Sequence, residues 1–374
     1  MNTVHVDTVI FGGGIAGLWL LARLRQQGYN AVLLEPQQLG SGQTRYAQGI
    51  IHGGTKYALS GSASASAQAI ANMPAVWDAC LRGVGEVDLS AAQRVADHQY
   101  LWSRQNLSSR LSGFFASHLM RSRMQAVARS DYPPLFQTPQ FKGTLYRLDE
   151  PIIDTLSVID ALAAPHRARI WKISWPDGVK LACTPSPTVE LTRDSGEPLK
   201  LQAQRLIFAA GAGNATLLSA LGRSTPAMQI RPLQMVVVNS AALPAKLFAH
   251  CLGSGATPRI TITSHPCRDG STVWYLGGQL AEEGARQNAN QLIQHAKREL
   301  AELLPQLPAQ TWRDARWATL PIDRAEPRQP DGKRPSTVFA DDSDGIITIW
   351  PTKLALAPLL ADAVITRLRD GGIS

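Results

Sequence analysis

The chain has 374 residues, 44% of them hydrophobic and 18% charged, with a net charge of +8. This composition indicates a globular protein large enough for two domains and excludes a disordered chain. The positive charge favours anionic partners, but the arginines are dispersed and form no basic stripe interleaved with aromatic residues, so we expect no nucleic-acid partner.

The first predicted elements are a strand, a glycine turn, a helix and a second strand that ends at Glu35. The turn, Gly12–Gly17, reads GGGIAG and fits the pattern G-x-G-x-x-G. Gly12 permits the tight turn, Gly14 lets the backbone approach a pyrophosphate, and Gly17 lets helix and strand pack closely. The helix N-terminus stabilises phosphate, and Glu35 can accept hydrogen bonds from a ribose. We interpret this unit as a dinucleotide site rather than a glycine turn without a ligand.

The rest of the chain alternates helices with a strand-rich middle. Helices are expected from Ser60 towards Trp77, over 152–164 and from Asn288 to Leu304. Strands are expected at 188–193, 199–208, Val236–Val238, Ile260–Thr263 and Thr272–Tyr275. The apolar run that leads into Ala209-Ala210-Gly211 is typical of a parallel strand covered on both faces.

This order of elements predicts an α/β fold. We expect a Rossmann-like nucleotide-binding domain into which a substrate domain of antiparallel β-sheet and helices is inserted. The predicted nucleotide-binding domain is discontinuous and consists of residues 1–75, 148–225 and 330–374. The predicted substrate domain consists of residues 76–147 and 226–329.

Taken together, these motifs resemble the D-amino-acid-oxidase-like family of FAD-dependent oxidoreductases. The resemblance covers nearly the whole chain and is carried by the opening unit, the segment 43–54, the strand before Gly211 and the stretch 346–363. It implies FAD rather than NAD. Within the family, the pattern Q-T-x4-G-x-I-H-x-G of 43–54 is similar to L-2-hydroxyglutarate dehydrogenases. Its I-H-G-G run also resembles FAD-linked glycerol-3-phosphate dehydrogenases, and both groups oxidise a secondary alcohol.

The motifs and the resemblance together imply a set of cofactor contacts. Some related enzymes attach FAD through a histidine in this segment, where this chain has Ala47, so we expect non-covalent FAD. The expected contacts are Gly12, Gly14, Ile15, Ala16, Gly17, Glu35, Gln43, Thr44, Arg45, Gly49, Ile50, Ile51, Ala210, Gly211, Pro351, Thr352, Lys353 and Leu354.

The C-terminal stretch is the second region expected to contact the flavin. Residues 346–350 are predicted to be a strand, and Pro351-Thr352-Lys353 to open a helix whose N-terminus stabilises negative charge on the reduced flavin. Family members usually have a glycine-rich turn here, which this chain lacks. Lys353 is a candidate catalytic cation beside flavin or substrate, with an ordinary first-turn lysine as the alternative.

His52 is the principal catalytic candidate. An imidazole with a pKa near 6.5 can accept a hydroxyl proton as a hydride leaves the same carbon. The alternative is that His52 only hydrogen-bonds flavin or backbone. Arg259 is a further catalytic candidate, because a guanidinium suits carboxylate or phosphate.

Five residues are expected on the substrate side. Arg324 is one of them, although an ion pair with its neighbours Asp323 or Glu326 would make it structural. The expected substrate contacts are His52, Tyr57, Arg259, Tyr275 and Arg324.

The cysteines and the hydropathy pattern bear on location. The four cysteines are scattered and form no C-x-x-C pair, so neither a zinc site nor a disulfide framework is indicated. The first strand begins by residue 7, which leaves no room for a signal peptide, and the most apolar long window, 345–365, is interrupted by charges and prolines. We expect a cytoplasmic protein.

The segment 114–124 alternates apolar and basic residues, so peripheral contact with the inner face of a membrane is an alternative to a helix packed on its own core.

These observations predict an FAD-dependent oxidoreductase. The expected reaction is oxidation of a small anionic or polar substrate by hydride transfer to flavin, with a hydroxy acid or polyol derivative as the preferred class and oxygen or quinone as acceptor. An amine or amino-acid oxidase on the same fold is one alternative. A non-catalytic FAD-binding assembly protein is the other.

Overall fold

The computed structural model describes residues 2–53, 70–103, 124–192, 196–253 and 257–373. Within these ranges the strands are β1 (Asn2–Phe11), β2 (Ala31–Glu35), β3 (Arg94–Ala96), β4 (Gln99–Ser103), β5 (Met124–Ala126), β6 (Thr144–Leu148), β7 (Ile152–Ile153), β8 (Ile170–Lys172), β9 (Val179–Ala182), β10 (Thr188–Thr192), β11 (Pro198–Phe208), β12 (Met228–Ser240), β13 (Phe248–Cys251), β14 (Ile260–Pro266), β15 (Thr272–Gly277), β16 (Arg316–Pro327), β17 (Phe339–Ser343) and β18 (Ile346–Trp350). The α-helices are α1 (Ile15–Gln26), α2 (Met73–Leu81), α3 (Thr155–Ala163), α4 (Asn214–Ala220), α5 (Gln279–Gly284), α6 (Ala289–Leu303), α7 (Ala309–Arg313) and α8 (Ala357–Asp370). Short 3-10 helices lie at Gln43–Tyr46, Arg129–Asp131, Pro134–Phe136, Ala164–Arg169, Gly211–Gly213 and Leu354–Leu356.

One sheet of the described residues has the order β17-β18-β11-β1-β2-β8, with β10 and β9 added antiparallel beside β11. Strand β1 pairs in parallel with both β11 and β2, and β18 and β8 extend the parallel part. The consecutive residues Val9 and Ile10 are both fully buried, because packed elements cover both faces of this sheet. The predicted parallel strand before Ala209 is confirmed as β11.

A second sheet has the order β16-β12-β15-β14-β13-β4-β6-β5. Its strands pair antiparallel except for β13 with β4. The longest ladder joins β12 to β16, from Met228 opposite Pro327 to Asn239 opposite Arg316. Residues of α5, α6 and α7 complete a core on this sheet around Trp102. The predicted combination of a Rossmann-like domain and an antiparallel substrate domain is therefore confirmed.

Two predicted helices have caps that fix where they begin. Asp154 accepts a hydrogen bond from the Ser157 N–H (2.7 Å) at the start of α3, and Asn288 and Gln291 form a capping box at the start of α6. The helix expected from Ser60 falls partly outside the described residues, and within them α2 begins at Met73. Most of the segment 114–124 also lies outside the described residues. No helix in the described ranges is long and apolar enough to cross a bilayer.

The segment that follows residue 75 packs with the nucleotide-binding sheet. Trp77 is fully buried, has its ring centroid 4.7 Å from that of Trp19 at an interplanar angle of 50°, and donates its indole N–H to the Ala355 carbonyl (3.0 Å). Val87 and Leu89 belong to the same core. We therefore propose that the nucleotide-binding domain extends to residue 89, beyond the boundary predicted at 75.

Candidate active site

A cavity of about 870 Å³ extends from the end of β1 to the second sheet. Residues of both sheets line it. Gly12 and Glu35 lie at the ends of β1 and β2 in the first sheet, and Arg324 lies on β16 in the second. His52 also lines the cavity. This volume lies within the range of roughly 300–1,000 Å³ in which proteins hold cofactors and small molecules. The cavity therefore brings most of the sequence-predicted site residues together.

The glycine turn after β1 has the close packing that its sequence predicts. Gly12 has φ +112°, and a Cβ there would lie 2.6 Å from the Ala209 carbonyl oxygen. A Cβ on Gly17 would overlap the carbonyl oxygen of Gly12. Any side chain at these two positions would separate β1, α1 and β11, so only glycine permits this turn.

The N-terminus of α1 opens on the cavity. Its N-cap is Gly14, which has no side chain to accept from the first N–H groups, and the Ile15 N–H donates to the Thr44 hydroxyl (3.1 Å). Glu35, at the end of β2, accepts from the Gly13 N–H (2.5 Å) and the Gln37 N–H (2.8 Å). The Glu35 carboxylate thus stabilises the glycine turn. It also lines the cavity at the position where the sequence predicts a ribose contact.

The segment 43–53 is fixed on both sides. The Gln43 amide oxygen accepts from the Ala325 N–H (3.2 Å), and the Gln48 amide donates to the Tyr275 carbonyl (3.0 Å). Gly49 has φ +71°, and its carbonyl accepts a hydrogen bond from the Ile153 N–H (3.0 Å). A Cβ at Gly49 would overlap the Ile153 carbonyl oxygen, so the two segments can approach this closely only at a glycine. These bonds align the segment with residues 151–153 and bring His52 beside Glu150.

Glu150 is the buried partner of His52. The Glu150 carboxylate is 3% exposed, and its Oε2 lies 3.4 Å from Nδ1 of His52. It also accepts from the Gly53 N–H (2.6 Å) and the Gln99 amide (2.5 Å). Burial alone would raise the pKa of Glu150, but the hydrogen bonds and charges of His52, Gly53 and His250 lower it. Glu150 is therefore a carboxylate at neutral pH that orients the His52 ring.

A second imidazole lies against His52. His250, on β13, is 6% exposed, and its ring centroid lies 5.4 Å from that of His52 at an interplanar angle of 27°. Nδ1 of His250 is 2.7 Å from the Thr261 hydroxyl. Both histidines line the cavity, and the buried Glu150 carboxylate lies behind His52.

A basic group lies elsewhere on the cavity wall, on the ladder of β12 and β16. Arg324 is 15% exposed, donates from Nε to the Arg231 carbonyl (3.3 Å), and has no hydrogen-bond partner at Nη2 among the described residues. Burial first, and then the nearby charges of Arg231 and Arg334, lower the pKa of Arg324 to about 10. Neither Asp323 nor Glu326 pairs with Arg324 in the described part of the chain, and its buried Nη2 lies 3.9 Å from the Glu282 carboxylate.

The C-terminal turn also lines the cavity, but its helix begins later than predicted. Thr352 has φ +61° and donates to the Thr337 carbonyl (3.0 Å), and a 3-10 turn at Leu354–Leu356 precedes α8. Trp350 donates its indole N–H to the Gly211 carbonyl (3.1 Å) and so ties this turn to the end of β11. Lys353 lines the cavity at this turn.

Comparison with known proteins shows the family of this chain. The family model described as DAO, FAD dependent oxidoreductase, matches residues 7–354. The chain belongs to this family. It is 46% identical, over 384 aligned residues, to the probable FAD-dependent oxidoreductase PA4991 of Pseudomonas aeruginosa, with 100% of this chain and 93% of that protein covered. The crystal structure of PA4991 matches with a TM-score of 0.82, at 42% identity and the same coverage.

More distant DAO-family structures share the fold. L-alpha-glycerophosphate oxidase from Mycoplasma pneumoniae, with FAD bound, matches at TM-score 0.67 and 14% identity over 98% of this chain and 95% of that one. Glycine oxidase from Geobacillus kaustophilus matches at TM-score 0.62 and 17% identity over 96% and 94%. The chain is therefore an FAD-dependent oxidoreductase of the DAO family, and these two likenesses leave its substrate class open.

The cavity fits FAD. The uncapped N-terminus of α1 suits the pyrophosphate. Beyond Glu35 the wall is apolar and suits an adenine ring, with contributions from Phe11, Leu34, Ile173, Trp175, Pro176 and Leu217. Residues 48–50, Ala210–Gly211 and 351–354 line the part of the cavity nearer His52. When bound, FAD supplies the two-electron redox chemistry as a hydride acceptor.

Several predicted site residues lie elsewhere. Arg259 does not line the cavity but is held by two carboxylates of α6, those of Glu299 (2.5 and 2.8 Å) and Glu302 (2.7 Å), and these hydrogen bonds raise its pKa. The Tyr275 hydroxyl donates to the Tyr46 carbonyl (3.1 Å) and supports the segment 43–48 from behind. The structure thus places both residues outside the cavity lining, and we propose that they have structural roles rather than the predicted catalytic and substrate ones.

Three further predicted cofactor residues lie behind or beside the cavity wall. Arg45 is exposed and lies outside the cavity lining, while Gly17 and the fully buried Ile51 contribute packing rather than surface. Tyr57 lies outside the described residues. The remaining predicted cofactor residues, together with His52 and Arg324, line the cavity.

Sequence reasoning missed Glu150 and His250. His250 carried a signal, because a single ionisable residue that interrupts an apolar strand is buried only when it is paired, and His250 stands in the run Phe248-Ala249-His250-Cys251. Glu150 carried no such signal, because it follows Asp149 in a charged stretch.

Proposed function

We propose that this enzyme oxidises a small anionic alcohol, a hydroxy acid or a polyol derivative, by hydride transfer to FAD. The observation that carries the proposal is the pair formed by His52 and the buried Glu150 carboxylate, at 3.4 Å, in the cavity that fits FAD. Oxidation of an alcohol requires loss of the hydroxyl proton as the hydride leaves, and such a pair is suited to accept it.

His52 is the proton acceptor in this proposal. Its Nδ1 is directed at Glu150, which leaves Nε2 to receive the substrate hydroxyl. The imidazolium that forms is stabilised by the Glu150 carboxylate, which is already ionised and held by Gly53 and Gln99. The His52 side chain is 43% exposed, so a substrate entering the cavity can reach it.

Arg324 binds the anionic group of the substrate in this proposal. Its Nη2 has no hydrogen-bond partner among the described residues, and the planar fork of a guanidinium matches a carboxylate. Lys353 adds positive charge on the same cavity wall. A substrate held by its anionic group is thereby oriented with its hydroxyl towards His52.

An amine or amino-acid substrate is the alternative, because Arg324 would bind the carboxylate of an amino acid equally well. A panel of matched pairs separates the two: lactate with alanine, glycolate with glycine, and glycerol phosphate with its amino analogue. Each is mixed anaerobically with the purified holoenzyme, and bleaching of the flavin is followed. Reduction by the hydroxy member of a pair supports the proposal, and reduction by the amino member alone contradicts it.

Two further outcomes of this panel bear on the proposal. Flavin that stays oxidised with every compound in an extended set of hydroxy acids, polyols and amino acids contradicts catalysis and favours a non-catalytic FAD-binding protein. For any substrate that reduces the flavin, reoxidation by oxygen or by a soluble quinone identifies the acceptor, which we propose to be one of these two.

A further inference from the structure

A third carboxylate faces the proposed anion site. Glu282, on α5, lines the cavity, and its Oε1 lies 3.9 Å from Nη2 of Arg324 and 3.9 Å from Nη1 of Arg231. Both distances are too long for a hydrogen bond, so the carboxylate sits beside the two guanidinium groups without satisfying them. Arg231 itself is paired with the buried Glu326 at 2.6 Å.

The position of Glu282 is set by the fold. Its helix α5 is preceded by the N-cap residue Gly278, where φ is +81° and a Cβ would lie 2.6 Å from the Pro258 carbonyl oxygen. The Glu282 N–H donates to the Gly278 carbonyl (3.2 Å), and the helix packs against β12, the strand that carries Arg231. Glu282 therefore stays beside the arginines as part of the wall.

The charges along this part of the cavity nearly cancel. Among the described residues, the charged side chains that line it outside the region of Glu35 and the histidines are Glu282, Asp323, Arg324, Arg334 and Lys353. Three cations and two carboxylates leave one net positive charge, and the Arg231 to Glu326 pair behind them adds none. One net positive charge matches a singly charged anion.

We propose that Glu282 makes the anion site selective for a monocarboxylate and disfavours a doubly charged phosphate ester. A carboxylate accepts the two N–H groups of one guanidinium and carries no further charge towards Glu282. A phosphate ester dianion of the same reach brings a second negative charge within a few ångströms of the Glu282 carboxylate, in a partly desolvated cavity where repulsion is weakly screened. The substrate is then a hydroxy acid rather than a polyol phosphate. This inference deepens the proposed function and takes from it only the role of Arg324 as the anion-binding group.

Ligand binding measures this selectivity without any turnover. Acetate and methyl phosphate are titrated into oxidised holoenzyme at pH 8, where methyl phosphate is close to a dianion, and the dissociation constants are read from the change in flavin absorption. We expect wild-type enzyme to bind acetate more tightly. Glu282→Gln should tighten methyl phosphate binding by about tenfold and acetate binding by less, because the Glu282 carboxylate repels a dianion about twice as strongly as a monoanion. The matched control is Glu283→Gln, since Glu283 is exposed and lies outside the cavity.

A second measurement needs no variant. The second pKa of a phosphate monoester is about 6, so methyl phosphate should bind wild-type enzyme more tightly, relative to acetate, as the pH falls from 8 to 5.5. Tighter binding of methyl phosphate than acetate at pH 8, or an equal effect of Glu282→Gln on both anions, would overturn the inference. Neither acetate nor methyl phosphate is oxidised in these titrations. A failure of the selectivity would therefore appear in the dissociation constants, whereas a failure of the proposed alcohol oxidation would appear only as absent flavin reduction by hydroxy acids.

Discussion

The Oε2 atom of Glu150 lies 3.4 Å from Nδ1 of His52, and the carboxylate that carries it is almost completely buried. The two residues are far apart in the chain and meet because residues 49–51 hydrogen-bond to residues 151–153. An ionised carboxylate held by Gly53 and Gln99 fixes one tautomer of the His52 ring. The pair that we propose to accept the substrate proton is therefore held together by the pairing of these two segments.

Replacing this carboxylate by its amide isostere should impair catalysis more than folding. Glu150→Gln is expected to lower kcat by at least about tenfold, because the amide neither stabilises the imidazolium nor fixes the tautomer. FAD content should remain that of the wild type. Rapid-reaction measurement of flavin reduction checks this, and an unchanged kcat would show that Glu150 does not act through His52.

The same residue predicts an acid limit of stability. The folded-state pKa of Glu150 lies below its ordinary value of 4.5, so the ionised group stabilises the fold above about pH 4.5 and this contribution is lost as the pH falls. As the pH falls below about 4.5, Tm should fall more steeply for wild type than for Glu150→Gln. Parallel Tm curves for the two proteins would contradict the assignment.

The glycine turn predicts a requirement for cofactor loading. Gly17→Ala places a Cβ against the Gly12 carbonyl oxygen, and the resulting shift of α1 from β1 should abolish FAD incorporation. Gly28→Ala is the control, since Gly28 lies just after α1, has φ +90° and has open space around it, so its cost is about 1 kcal/mol of stability without displacement of α1. The ratio of flavin to protein after purification is the measurement. Full loading of Gly17→Ala would refute the packing argument.

Arg324 should contribute to substrate binding without stabilising the fold. Burial lowers its pKa to about 10, so the fold holds this charge at a cost, and Arg324→Met should raise Tm or leave it unchanged. KM for an anionic substrate should rise by about tenfold or more, with a smaller effect on kcat. Arg328→Met, at an exposed arginine outside the cavity, is the control. A lower Tm with an unchanged KM would assign Arg324 a structural role.

Arg259 should behave in the opposite way. Its guanidinium joins the start of β14 to Glu299 and Glu302 on α6, so Arg259→Met should lower stability by about 1 kcal/mol and leave kcat/KM unchanged. Thermal unfolding and steady-state kinetics of the same preparation test both parts. A large loss of kcat/KM at unchanged Tm would restore the catalytic role that the sequence suggested.

Local patterns made much of the nucleotide-binding half predictable. The turn at Gly12 and the packing at Gly17 are dictated by backbone geometry within a few residues, and the capped start of α6 at Asn288 follows from its own sequence. The strand before Ala209 was recognisable because burial on both faces leaves it continuously apolar. Each of these signals lies within one element.

The substrate side was less predictable because its partners come from distant elements. Alternation along β14 correctly predicts that Ile260 and Thr261 face opposite sides, and Thr261 lines the cavity. Arg259 instead pairs with Glu299 and Glu302, which lie three residues apart on one face of α6. Glu150 reaches His52 only through the pairing of two chain segments. Neither relationship leaves a spacing in the sequence from which it can be derived.

Anaerobic flavin reduction tests whether His52 accepts the substrate proton. The rate with the best hydroxy acid is measured for wild type, for His52→Ala and for His5→Ala, which replaces an exposed histidine on β1 outside the cavity. We expect His52→Ala to keep its FAD and to reduce it about 10²- to 10⁴-fold more slowly, while His5→Ala matches wild type. Flavin reduction by His52→Ala at the wild-type rate would show that His52 is not the proton acceptor.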